Sequence, residues 1–104
     1  MTTFEDGPAK GQRLMLKHAP EFLRVVVDEK EKWDALDLPT DTPRPEELIY
    51  AYRLSEKTGM CHINAGRGRS GFYTIARYGF VKSQPTSAMM RDTVAWQAWC
   101  ESKI

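Results

Sequence analysis

The sequence predicts an α+β domain, in which an antiparallel β-sheet of about four or five strands in a meander carries a C-terminal α-helix on one face. Three observations predict it. Leu48, Tyr50, Tyr52 and Leu54 alternate with Ile49, Ala51 and Arg53, the period-2 pattern of a strand. Phe22-Leu23-Arg24-Val25-Val26-Val27 is a compact run rich in β-branched residues. Near the end Met89, Thr93, Trp96, Trp99, Cys100 and Lys103 recur at spacings of three and four, one stripe of a helix.

A chain of 104 residues is one domain by size, and a domain of that length buries about 60–70% of its unfolded surface. Residues 1–11 hold Gly7, Pro8 and Gly11 and little to bury, so they read as a flexible tail before a single domain over 12–104. Arg13 to Leu16 suits a short strand, which Pro20 keeps from running on. The Phe22–Val27 run reads as a strand covered on both faces, and Asp28 to Lys32 as a charged turn. Trp33, Leu36 and Leu38 have mixed spacing that fits a helical turn or an extended segment equally. Pro39 to Glu47 has three prolines, each fixing φ and removing a donor, and reads as a loop.

After the strand at Leu48–Leu54, Ser55 to Gly59 reads as a turn and Met60 to Ala65 as a second strand. Phe72 to Val81 reads as a third, with Phe72, Thr74, Ala76, Tyr78 and Phe80 on one side. Short connections between successive strands favour antiparallel neighbours. The terminal helix has two competing starts, Pro85-Thr86-Ser87 and Asp92.

Charge is uneven although the net value is only +1. Residues 28–47 are mostly acidic, whereas Lys57 to Lys82 holds Arg67, Arg69, Arg77 and two lysines with no carboxylate. Whole-molecule attraction to nucleic acid or membrane is therefore excluded, and any basic surface is local. No apolar run approaches the roughly 20 residues of a membrane span, and the polar start is unlike a signal peptide. The expectation is a reduced, cytoplasmic protein with free thiols at Cys61 and Cys100. His18, His62, Cys61 and Cys100 lack the clustered spacing of a zinc site, so neither metal nor cofactor is expected.

The candidate contact surface is Gly66-Arg67-Gly68-Arg69-Ser70-Gly71. Glycines permit φ > 0 and let successive N–H groups converge on an anion, while Arg67 and Arg69 add forked donors. Ser70, Tyr73 and Arg77 join them as binding candidates, with Tyr73 able to stack on a base. The string His62-Ile63-Asn64-Ala65-Gly66-Arg67-Gly68-Arg69-Ser70-Gly71 resembles the phosphate-binding loop of protein tyrosine phosphatases, H-C-x-A-G-x-G-R-S-G. It matches at His62, Ala65, Gly66, Gly68, Arg69, Ser70 and Gly71, which covers about a tenth of the chain. The resemblance implies a phosphate cradle with Arg69 as clamp. Ile63 occupies the position of the nucleophilic cysteine and cannot replace a thiolate, so phosphatase activity is not implied.

The residues thus point to a small non-enzymatic binding or regulatory protein whose loop 66–71 contacts a protein or a nucleic acid. The alternative is a ribonuclease-like phosphodiester hydrolase using His62 with the loop arginines, and Glu46, Glu47 or Glu56 as its carboxylate.

Overall fold

A computed structural model describes residues 1–38, 40–64 and 70–103; for 60–64 and 70–74 it describes the backbone. The chain forms β1 (Thr2–Phe4), β2 (Arg13–Leu14), β3 (Phe22–Val27), β4 (Trp33–Leu36), β5 (Leu48–Asn64), β6 (Ser70–Phe80), α1 (Ser87–Arg91) and α2 (Thr93–Lys103). The six strands make one sheet in the order β2-β1-β6-β5-β3-β4. All pairings are antiparallel except β1 with β6. The outermost strands β2 and β4 approach each other, so the sheet curls nearly into a barrel. This is the α+β architecture expected, with one strand more than the upper count; β5 lies beside β3 and not β4, so the strands depart from the expected meander order.

Alternation along β3 and β5 separates two cores. Leu23, Val25 and Tyr52 point into the curl, where they meet Phe4, Ala9, Leu16, Ala35, Ala76 and Tyr78. Phe22, Val26, Ile49 and Ala51 point outward against Met90, Trp96 and Trp99 of the helices. Every residue of β3 is consequently buried. Trp99 meets Phe22 edge-on at 5.0 Å between ring centroids and stacks on Trp96 at 5.3 Å. Such pairs add about 0.5–1.5 kcal/mol beyond the area they bury.

Both predicted helix starts are used. The Thr86 hydroxyl accepts from Met89 N and opens α1. Asp92 then breaks the helix in extended conformation, and its carboxylate accepts from Ala95 N to open α2. Trp33–Leu36, ambiguous by spacing, is a strand because it pairs with Arg24–Val27. The turn before it is closed by Asp28, whose carboxylate accepts from Lys30 N and Lys32 N.

Two expectations are corrected. Residues 1–11, read as a tail, hold a strand of the sheet: Thr2, Thr3 and Phe4 lie opposite Ala76, Arg77 and Tyr78. Ala9 is fully buried, and its N–H donates to the Tyr52 hydroxyl, which donates in turn to Asp6 O. Gly7 is what permits the fit. Its φ is +72°, and a Cβ there would lie 2.6 Å from the Phe80 ring. The second correction is Ser55–Gly59, read as a turn. The strand runs through it, with register shifts between Leu54 and Glu56 and between Lys57 and Gly59. Gly59, at φ +134°, takes a conformation that side-chain-bearing residues rarely adopt.

Arg24 lies at the centre of the helix-covered face, between Phe22 and Val26, and is almost wholly buried. Its guanidinium donates to Met90 O at 3.0 Å, to Leu38 O at 3.1 Å and to Asp41 O at 3.0 Å. It also sits 5.6 Å over the Trp96 ring. One buried cation thus ties β3 to the end of α1 and to the proline-rich loop.

Candidate interaction surface

The β5–β6 hairpin is longer than the sheet that supports it. β3 flanks β5 only as far as Arg53, and β1 flanks β6 only at Ala76–Tyr78. From Gly59 opposite Ile75 to Asn64 opposite Ser70, the two strands pair with each other, and no third strand joins them among the described residues. At about 3.4 Å per residue this two-stranded ribbon is roughly 17 Å long.

The base of the ribbon is built from polar contacts. Two bulges shift the register there, and bulges bend a strand and sharpen its twist. The Ser55 hydroxyl lies 2.7 Å from Glu5 Oε1 and 3.0 Å from Arg77 O, and Thr58 Oγ1 lies 3.4 Å from Ile75 O. Arg77 bridges Glu5 (Nε to Oε1, 2.8 Å) and Glu56 (2.7 Å to Oε2). About half exposed, such pairs are worth roughly 0–1 kcal/mol each. The two carboxylates that hold the Arg77 guanidinium would compete with an anionic partner for it.

The candidate residues fall into three groups. Arg67 and Arg69 lie outside the described residues. His62, Tyr73 and Ser70 belong to the ribbon backbone, with His62 opposite Phe72, Cys61 opposite Tyr73 and Asn64 opposite Ser70; only their backbone is described. Ser70 opens a strand. The carboxylates considered for His62 are engaged elsewhere. Glu56 holds Arg77. Glu47 is buried and accepts from Arg44 N at 2.7 Å, and Glu46 lies 3.6 Å from Arg44 Nε. No cluster of three or more histidine, cysteine or acidic side chains able to hold a metal occurs among the described residues. No helix among them is long and apolar enough to cross a membrane.

Sequence reasoning read the two strands of the ribbon but missed the continuity of β5 through Ser55–Gly59 and the ion pairs of Arg77. The first was legible in principle, because the alternation of 48–54 resumes after Gly59 and one glycine suffices for a bulge. The second depends on Glu5, which no local pattern connects to residue 77. The chain matches no protein-family model, no curated protein and no solved structure.

Proposed function

We propose that this is a non-enzymatic binding protein whose β5–β6 hairpin contacts nucleic-acid phosphates. The single supporting observation is the two-stranded ribbon that continues past the sheet at Gly59 and Ile75. A two-stranded ribbon has the width that a duplex major groove admits. The sequence adds that residues 57–91 contain no acidic side chain, and that the segment joining the two strands carries Arg67 and Arg69. Forked guanidinium donors suit phosphate, and a stretch without carboxylates does not repel it.

The test is fluorescence anisotropy of the full chain with a mixed-sequence duplex at low salt, repeated at rising salt. Each phosphate contact released contributes about 0.9 to the slope of log K against log salt, so Arg67→Ala with Arg69→Ala reduces that slope by about 1.8. The same pair weakens binding at low salt. Absence of duplex binding, or an unchanged slope in the double variant, refutes the reading and turns attention to a protein partner.

A further inference from the structure

A second basic site lies on the helix-bearing side of the sheet, built wholly from described residues. Three separate elements converge there: Arg53 from β5, Lys82 and Ser83 from the segment after β6, and Lys103 from the last turn of α2. They line a cleft of about 260 Å³, with the buried Phe22 and Trp99 rings at its floor and half-buried Phe80 and Val81 beside them. The lining has three cations and no carboxylate.

These cations are held loosely. The Arg53 guanidinium rests 5.2 Å over the Phe22 ring, and the Lys103 ammonium 5.8 Å over the Trp99 ring. Exposed cation–π contacts are weak, so turning either head towards an anion costs little. Arg53 has one carboxylate neighbour, Glu21 at 3.1 Å, in a half-exposed pair that competes weakly. Lys82 and Lys103 form no ion pair among the described residues.

From this geometry we infer that the cleft binds a small phosphate monoester carrying one apolar or aromatic group. The Arg53 fork and two ammonium groups can meet a dianion from three directions, and the Ser83 hydroxyl can donate to it. The apolar group rests on Val81 and against the Phe22 and Trp99 rings, which share the helix-covered face. At about 260 Å³ the cleft falls just below the usual range of drug-sized pockets, which fixes the scale of the ligand at about that of phenyl phosphate. The cleft is independent of the proposed nucleic-acid surface, since no residue of the β5–β6 ribbon lines it.

Phenyl phosphate titrated into the full chain, followed by the Trp99 indole N–H in NMR, tests it. The expected result is saturable movement of that resonance in the low millimolar range, weakened about tenfold in Lys82→Gln/Lys103→Gln and unchanged in Arg67→Ala/Arg69→Ala. Benzyl alcohol, which lacks the charge, leaves the resonance in place. No movement up to about 20 mM in the parent chain, or an affinity that is unchanged in Lys82→Gln/Lys103→Gln, overturns the site. Equal affinity for inorganic phosphate overturns the ester assignment. Both lysines are exposed, and circular dichroism confirms that the variant remains folded.

Discussion

Replacing Arg24 tests whether a buried cation organises the helix-covered side of the sheet. In Arg24→Met the shape of the side chain is roughly kept while three hydrogen bonds to carbonyl oxygens disappear. The Met90 carbonyl lies at the buried contact and is left without that donor, at a cost of about 1–3 kcal/mol. The Leu38 and Asp41 carbonyls are only partly buried and recover water, so their loss is nearer about 0.5–1 kcal/mol each. The contact with Trp96 adds about 1 kcal/mol. Against these losses stands relief of desolvation, which also pushes the Arg24 pKa below its ordinary value. Exchanging a whole buried ion pair for apolar residues can be neutral, because both partners leave together. Here the partners are backbone carbonyls and remain. The expected net loss is about 2–4 kcal/mol in urea unfolding followed by tryptophan fluorescence. Arg24→Lys loses nearly as much, since one ammonium cannot span from α1 to the loop at residues 38–41 as the planar fork does. A methionine variant within about 0.5 kcal/mol of the parent, or a lysine variant equal to it, refutes the tie.

Two further outcomes concern ionisation. Burial pushes the Cys100 thiol up to about 11 against the opposing charge of Arg24, so in a Cys61→Ser background it should alkylate at pH 8 on the order of a hundredfold more slowly than an ordinary thiol; a rate near that of free cysteine would show the thiol to be accessible. The hydrogen bond from Lys32 N, then that from Lys30 N, and the charges of Arg44 and Lys32 hold the Asp28 carboxyl below its ordinary value despite some opposing desolvation. A depressed carboxyl stabilises the fold above its unfolded pKa, and that contribution is lost as pH falls through the folded one. Asp28→Asn should therefore flatten the loss of stability below about pH 4, read as urea midpoint against pH, and an unchanged acid limb would contradict the assignment.

Much of the fold was legible where one local rule governed each element. The β-branched run at Phe22–Val27 became β3 without change of boundary. The opposed faces of Leu48–Leu54 match the two cores. Thr86 and Asp92 both cap helices, because a short acceptor at either position meets free N–H groups. The failures share a cause, namely that distant residues decided the outcome. Residues 2–4 have no strand signal of their own and are ordered by the edge of β6. Arg24 interrupts an apolar run, and nothing nearby shows that the carbonyls of residues 38, 41 and 90 receive it. Gly59 reads as a turn by propensity, although here it carries a bulge. At the candidate surface, composition alone revealed the acid-free stretch, whereas the ion pair of Arg77 with Glu5 joins residues 72 positions apart. The cleft around Arg53, Lys82 and Lys103 joins residues 50 positions apart, and no motif could have gathered them.

The parallel pairing of β1 with β6 has a consequence for how the chain reaches its native state. Thr2 lies opposite Ala76, and the Met1 carbonyl accepts from Ala76 N at 3.1 Å. Residues 2–4 thus wait for a strand that lies 74 positions further along the chain, Thr2 being opposite Ala76. The β5–β6 hairpin and the β3–β4 hairpin close over short loops and can form early, whereas β1 docks across a long loop whose closure entropy must be met before any contact rewards it. Docking of β1 is therefore expected late in folding. A ribosome-bound chain that has not yet exposed β6 would leave Phe4 and Ala9 without their core, and would present a half-open barrel to its surroundings.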